Sequence, residues 1–285
     1  MSKIIYTSEG QGGVWKLFAP WLVWRNILRH RDLIVSVAQY NFRSMYQASH
    51  LGMVWQVLLP LLMLAIFYFV FGKILGGRFS PGPSETPIDF ALALSIGLGF
   101  YNQVAQIVST SPSLVASNVT YVKTLSFPLE ILAVTAVLNA LSSLIITVVL
   151  AILILWGAHG MVHLSVICVP FYIACVFLIS LGLAWILSAL AVFLRDIAAV
   201  TTPMTLILMF MCPIFYPSSL VPQKIKWLVS FNPLAVIIED VRAAILYGVW
   251  PHPLSALAVF AFSVFLTCAG YLFFMKSKPA FADVL

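Results

Sequence analysis

The chain has 285 residues, of which 62% are hydrophobic and only 8% are charged, and its formal net charge is +6. An average soluble domain carries about a quarter charged residues, so this composition excludes an ordinary water-soluble protein. In a membrane protein, surplus basic residues mark the cytoplasmic side and contact anionic headgroups, so the net charge does not indicate nucleic-acid binding.

The first predicted element is the N-terminal segment, residues 1–50. Trp15, Trp21 and Trp24 alternate here with basic residues, and apolar residues follow at roughly helical spacing. This pattern is typical of amphipathic helices that lie in the headgroup plane. A simple positively charged anchor without any further role explains the pattern equally well.

Six uncharged segments are long and apolar enough to cross a membrane as helices. They are residues 51–71, 90–109, 131–156, 164–194, 197–215 and 254–275. Residues 157–160 contain two glycines and predict a tight turn between the third and fourth spans.

Ten of the 15 Lys and Arg residues lie in the N-terminal segment, the second–third loop, the fourth–fifth loop and the C-terminal tail, which six spans place on one side of the membrane. The positive-inside rule then places both termini in the cytoplasm. We therefore predict an all-α integral membrane protein with six transmembrane helices. Residues 1–50 form a cytoplasmic or interfacial segment, residues 51–277 form the membrane domain, and residues 278–285 form a cytoplasmic tail.

The region 216–250 predicts a re-entrant helix pair before the last span. Three prolines cut it into pieces too short to span, yet these pieces are too apolar for a solvated loop. Charged residues at the bilayer centre cost about 2.5–3.5 kcal/mol each, so Glu239, Asp240 and Arg242 favour a position near the outer mouth. An external loop with one amphipathic helix is the alternative.

Motifs for catalysis and energy conversion are absent from the sequence. It contains no phosphate loop, no zinc-protease motif and no nucleophile elbow, and its four cysteines have no C-x-x-C spacing. The six predicted spans carry no charged residue that could relay protons or sodium ions. These absences favour a conduit for a large substrate that is powered by another protein.

Several short segments together resemble the permease subunit of type-2 ABC exporters for polysaccharides. The resemblance covers almost the whole chain and depends on the order of segments that are individually unspecific. The segments are Arg31-Asp32-Leu33, Ser49-His50-Leu51-Gly52, Tyr121-Val122-Lys123, Phe127-Pro128-Leu129-Glu130, Arg195-Asp196, Asn232-Pro233-Leu234 and Phe281-Ala282-Asp283-Val284-Leu285. One departure is Leu129, where relatives commonly have arginine.

The resemblance implies a channel-forming homodimer that binds two copies of a separate ABC ATPase subunit. The complex would move a polysaccharide on a polyprenyl-diphosphate lipid across the bacterial inner membrane. O-antigen is the first expectation for the polymer, with teichoic acid or capsule as alternatives. The ATPase subunit would bind ATP and Mg²⁺, so this chain would hold no cofactor or metal and would not itself be an enzyme.

The resemblance also implies the locations and roles of three functional sites, to which the residue pattern adds candidate residues. The lateral gate would attract the substrate's diphosphate, because arginine donates planar, charge-assisted hydrogen bonds to phosphate. Its residues are Arg25, Arg29, Arg31 and Arg43. The ATPase-coupling residues are Ser113, Ser117, Asn118, Lys123, Phe127 and Pro128. The external-gate residues are Pro222, Leu228, Asn232, Pro233, Ile237, Glu239 and Arg242.

Two other functions stay open at this point. One is a drug or lipid exporter of the same fold. The other is a membrane-embedded transferase, for which Glu239, Asp240 and Arg242 would be the only candidate cluster.

Overall fold

The computed structural model describes residues 25, 27–46, 51–76, 85–118, 127–194 and 196–284, and all regular secondary structure in these ranges is helical. Five helices are long and apolar enough to cross a membrane, which confirms an all-helical integral membrane fold. The helices are α1 (Arg31–Tyr46), α2 (Gly52–Ile74), α3 (Pro87–Ala116), α4 (Glu130–His159), α5 (Leu164–Phe193), α6 (Ile197–Met211), α7 (Lys226–Ser230), α8 (Pro233–Leu246), α9 (Pro253–Ala280) and α10 (Phe281–Val284).

Helix α3 lies at the centre of the bundle and packs against α4, α5, α6 and α8. It begins at a capping box, in which the Thr86 backbone N–H donates to Asp89 Oδ2 at 2.9 Å and Thr86 Oγ1 accepts from the Asp89 N–H. Pro87 occupies the first helical position, where no N–H is needed. Helix α2, in contrast, has few buried residues.

The predicted hairpin between the third and fourth spans is confirmed. Helix α4 continues past the predicted end at residue 156 and stops at Gly160, whose φ of 70° lies in the left-handed region. Glycine adopts this conformation without a steric penalty, so it ends the helix. Helix α5 then begins at Leu164.

The fifth predicted span is shorter than expected, because α6 has only 15 residues. At 1.5 Å per residue it is about 22 Å long, less than a hydrocarbon layer of about 30 Å. Cys212 has extended backbone with φ −95° and ψ 140°. It precedes Pro213, and a residue before proline is disfavoured in the helical region.

We name the two ends of the bundle by the helix termini that lie there. The proximal end is where α3 ends and α4 begins, and the distal end is where α3 begins and α4 ends. At the proximal end, α1 packs on α4 through Ile34, which joins a buried cluster with Trp185, Phe274 and Phe281. Phe281 is fully buried, so it anchors the C-terminal segment to the bundle.

Helices α5 and α9 approach so closely that their backbones touch at Gly182 and Gly270. Thr267 Oγ1 donates to Leu178 O across this contact at 2.8 Å. A Cβ atom at Gly182 would lie only 2.5 Å from Leu266 O. Small residues at a helix crossing permit this proximity in membranes, where dispersion contacts and interhelical hydrogen bonds replace the hydrophobic effect.

We therefore expect Gly182→Ala to destabilise the protein by about 1–3 kcal/mol, because the added methyl group overpacks the α5–α9 crossing. The measurement is the melting temperature of detergent-solubilised protein, obtained from the folded fraction that remains after heating to each temperature. Gly157→Ala is the matched control, since Gly157 is helical but faces open space. Equal melting temperatures for the two variants would contradict this packing argument.

Candidate functional site

Helix α8 begins next to the end of α6 and continues to the distal end. Asn232 caps it, with its side-chain oxygen accepting from the Leu234 N–H at 3.1 Å, and Pro233 fills the first helical position. Asn232 Nδ2 lies 3.4 Å from Cys212 Sγ at the end of α6. Near the other end of α8, Ser165 Oγ donates to Ala244 O at 2.6 Å.

Arg242 is buried, with 6% of its surface exposed, and its guanidinium joins three parts of the chain. It donates from Nε to Ala93 O at 2.7 Å, from Nη2 to Ile214 O at 2.9 Å, and from Nη1 to Pro213 O. The last two carbonyls follow the end of α6, where no helical N–H can reach them. Arg242 thus supplies the hydrogen bonds that the interrupted helix lacks.

Gly97 makes room for this guanidinium. A Cβ atom at residue 97 would overlap the Arg242 side chain. Sequence reasoning placed Arg242 in a charged patch at the outer mouth and did not foresee its carbonyl partners, because they lie 28 to 149 residues away along the chain.

Polar contacts tie the middle of α8 and the residue after its end to neighbouring parts of the chain. Tyr172 on α5 donates to Asp240 Oδ2 at 2.6 Å. After α8 ends, Tyr247 donates to Glu85 Oε1 at 3.2 Å, and burial raises the pKa of Tyr247 above its ordinary value. Asp240 and Arg242 therefore serve structural contacts, which argues against a transferase centre built from them.

The external-gate residues predicted from the sequence occupy two different surroundings. Ile237 is fully buried in the core of the protomer. Pro222 and Leu228 instead line a shallow groove of about 310 Å³ together with Phe210. Glu239 is half-buried on α8.

The described coupling residues lie at the proximal end. Ser117 and Asn118 follow the last turn of α3 and bond back to it, Ser117 Oγ to Ser113 O at 2.6 Å and Asn118 Nδ2 to Leu114 O at 2.8 Å. Phe127 and Pro128 are half-buried just before α4. Lys123 lies outside the described residues.

An ion pair at the proximal end was not foreseen. Lys278 Nζ lies 2.7 Å from Glu130 Oε2, and Trp185 Nε1 donates to the Glu130 backbone carbonyl at 3.1 Å. Glu130 directly follows the coupling residues, so this pair connects them to the C-terminal end of α9. The signal in the sequence was Glu130 at the edge of one long apolar span and two lysines, Lys276 and Lys278, at the edge of another.

The arginines of the predicted lateral gate are exposed where their side chains are described. Arg25 and Arg29 precede α1, and Arg31 opens it with its Nε 3.5 Å from Asp32 Oδ1. The backbone of Arg43 is helical, but its side chain lies outside the described set. The structure thus places exposed basic side chains beside α1.

A groove between α2, α3 and α4, polar along α3, was missed entirely by the sequence reasoning. Its volume is about 550 Å³. The α2 wall includes Trp55 and Phe67, while the α3 wall presents Asn102, Gln103 and Gln106. We name this feature the amide groove.

At the distal end, His159 Nε2 lies 2.7 Å from Asp89 Oδ1 and links the end of α4 to the start of α3. Thr86 Oγ1 also donates to the other oxygen of this carboxylate at 2.7 Å. Among the described residues, no group of three His, Cys, Asp or Glu side chains is arranged to hold a metal ion.

Comparisons with known proteins match most of the chain. The family model described as "ABC-2 type transporter" matches residues 32–246. Two proteins of Klebsiella pneumoniae, each named O-antigen export system permease protein RfbA, are 26% and 27% identical over 257 and 259 residues, which cover 89% of this chain and 95% of each relative. A Myxococcus xanthus protein of the same name is 22% identical over 262 residues, covering 91% of this chain and 97% of the relative.

Replacing Arg242 should destabilise the fold strongly. Arg242→Met leaves the buried carbonyls of Pro213 and Ile214 without their donor and removes the additional bond to Ala93 O. Arg242→Lys restores only a point charge in place of the planar fork, so we expect both variants to lose about 3 kcal/mol or more. Detergent-solubilised variants can be compared by melting temperature and monodisperse yield. Arg29→Met is the control, because it removes the same group from an exposed position. If the Arg242 variants melt like the wild type, the bonds to α6 do not maintain the fold.

Proposed function

This chain belongs to the ABC-2 type transporter family, and on that premise we propose that it is the permease subunit of an exporter for a lipid-linked polysaccharide of the O-antigen type. The observation that carries the proposal is the near full-length similarity to three O-antigen export permeases. A teichoic acid or capsule polymer is the alternative cargo within this function.

The proposed topology has six crossings with both termini in the cytoplasm of a bacterial inner membrane. Helices α2, α3, α4, α5 and α9 each provide one crossing. Helix α6 and helix α8 together provide the sixth, as a broken helix whose intervening residues 212–232 form a re-entrant element. The contacts from Asn232 to Cys212 and from Ser165 to Ala244 support this arrangement, since they place α8 between the end of α6 and the distal end.

Charge supports the cytoplasmic assignment of the proximal end. Lys276 and Lys278 lie there at the end of α9, and the exposed arginines precede or open α1. The distal end instead carries Glu85 and Asp89 at the start of α3. The positive-inside rule then orients the bundle.

Energy for transport comes, in this proposal, from two copies of an ABC ATPase that bind ATP and Mg²⁺ and dock on a homodimer of this chain. The sequence has no phosphate loop of its own. The docking surface is the proximal segment that includes Ser113, Ser117, Asn118, Lys123, Phe127 and Pro128. The Glu130–Lys278 pair would carry movement of this segment to α9.

The substrate's diphosphate would meet Arg25, Arg29, Arg31 and Arg43 at the cytoplasmic leaflet, where arginine forks match phosphate oxygens.

At the other end of the pathway, Pro222 and Leu228 would form the exposed surface of the external gate, which moves when the gate opens. Helix α8 would be held against the bundle behind this surface by Asn232, Pro233, Ile237, Glu239 and Arg242. We assign these two roles by exposure, because Pro222 and Leu228 are exposed whereas the other five residues are half-buried or buried.

Deletion of the gene tests the function directly. We expect the bacterium to lose its surface polysaccharide and accumulate lipid-linked polymer inside, as seen by gel analysis of surface extracts and of whole-cell lipid extracts. A plasmid copy of the gene should restore the surface polymer. The same plasmid in a strain whose partner ATPase is inactive should not restore it. Unchanged surface polysaccharide in the deletion strain would overturn the proposal.

The coupling surface predicts a specific crosslink. With the four natural cysteines replaced by Ala, Ser117→Cys should crosslink to a single cysteine on the co-expressed ABC ATPase, because Ser117 is exposed at the proximal end. Ser255→Cys at the start of α9 lies at the distal end and is the matched control. Crosslinking of Ser255→Cys instead of Ser117→Cys would reverse the proposed orientation.

A further inference from the structure

One face of α3 presents exposed polar side chains at the depth where a membrane is most apolar. Asn102, Gln106 and Ser109 follow each other at helical spacing and are exposed. Asn102 lies at the midpoint of this 30-residue helix. Amides at this depth are costly against acyl chains, so the face must meet water or another polar surface.

These side chains have spare hydrogen-bonding capacity. Within the described part of the chain, Asn102, Gln106 and Ser109 make no side-chain hydrogen bond, whereas Thr110 on the same helix bonds back to Gln106 O at 2.9 Å. Hydrogen-bond donors and acceptors along this face of α3 are therefore available to a ligand.

Gln103 gives independent evidence of a missing partner in the amide groove. It lines the groove and is buried, with only 2% of its surface exposed. Its Nε2 reaches Val137 O only at 3.5 Å, and its Oε1 has no hydrogen-bond partner among the described residues. A buried amide oxygen without a partner is rare in folded proteins and demands an explanation.

The two walls of the amide groove differ in chemistry. The α2 wall is mostly apolar and includes Trp55, Met63 and Phe67 together with the amide of Gln56, while α3 and α4 contribute further amides and hydroxyls. No Asp, Glu, Lys or Arg is among the described residues that line it. An amide can both donate and accept, so it matches a hydroxyl group, which also does both.

This combination suits uncharged sugar units, which have hydroxyl groups at the ring edge and C–H groups on the ring face. A phosphate or diphosphate would instead require cationic partners, and the groove offers none in its described lining. The volume of about 550 Å³ lies within the range of small-molecule sites, roughly 300–1,000 Å³.

We propose that the amide groove binds uncharged sugar units of the polymer as they pass through the membrane. The inference rests on the proposed export function and assigns the sugar contacts to Asn102, Gln103 and Gln106. Neutral hydrogen bonds exchange readily with water, so a row of them can hold a chain in register without trapping it. The diphosphate and the sugars are thus bound at separate places, by the arginines near α1 and by the amides of α3.

The first test replaces the exposed amides. In a deletion strain that carries the full transporter, Asn102→Leu with Gln106→Leu should lower surface polysaccharide at least fivefold. Asn102→Ser with Gln106→Ser should keep at least half of the wild-type level, because hydroxyls still bond to sugars. Asn139→Leu is the matched control, since it makes the same change on α4 outside the groove and should leave export unchanged.

The outcomes separate this inference from the proposed function. If deletion of the gene removes the surface polymer but the leucine pair exports normally, the groove does not contact the polymer while the export function stands. Loss of the dimer in the leucine pair, measured by light scattering on the purified complex, would mean that the amides face a second copy of the chain. Loss of export with the dimer intact supports sugar binding.

A second measurement covers the case in which the leucine pair fails to insert. With the natural cysteines replaced by Ala, Gln106→Cys should react with a small hydrophilic thiol reagent in membrane vesicles. Vesicles are prepared from a strain that makes the polymer and from a strain blocked in polymer synthesis. The labelling rate should be at least threefold lower in vesicles from the strain that makes the polymer. Equal labelling rates, or no labelling in either strain, would overturn the proposal.

Discussion

The structure depends on the requirement that every backbone polar group inside a membrane finds a partner within the protein. Helix α6 breaks at Cys212 and Pro213, well short of a full crossing, and leaves carbonyls at Pro213 and Ile214 that no helical N–H can reach. The Arg242 guanidinium supplies these bonds and also reaches Ala93 on the central helix. A charge that would be prohibitive against lipid becomes acceptable because three carbonyl dipoles surround it. The break in α6 can therefore persist, and with it the irregular segment between α6 and α8.

The remaining helices hold this arrangement in place through close packing. Helices α5 and α9 meet backbone to backbone at Gly182 and Gly270, and α3 is buried among α4, α5, α6 and α8. At the distal end, the Asp89–His159 pair and the Tyr247–Glu85 bond connect the helix termini. The bundle is thus rigid around α3, whereas α2 contacts it mainly along one side. This asymmetry leaves an open groove on the one face of α3 that α2 only partly covers.

The two ends of the molecule differ in how they can transmit movement. At the proximal end, the start of α4 is tied to α9 by the Glu130–Lys278 pair and to α1 through the cluster around Ile34. A displacement of this segment would reach three helices at once. Helix α8 is held by Arg242 and by Tyr172, whereas residues 218–231 are exposed or half-buried apart from Val229. In the proposed external gate, movement of these exposed residues would separate apolar contacts without taking a buried charge away from its partners.

Composition, charge-free runs and turn signals were sufficient to predict an all-helical membrane protein, the hairpin that ends at Gly160, and the helix that begins after Asn232. These features arise from local chemistry: hydrophobic length, glycine conformation, and the fixed φ and missing N–H of proline. The ordered motifs also indicated the family before any comparison. The tertiary structure alone decided the roles of Arg242, Gln103 and Glu130, whose partners Ala93, Val137 and Lys278 are distant in sequence or on other helices. Helical periodicity can place Asn102 and Gln106 on one face of α3, but only the packing of the other helices determines that this face stays uncovered, since burial depends on neighbours that the periodicity of one helix does not specify.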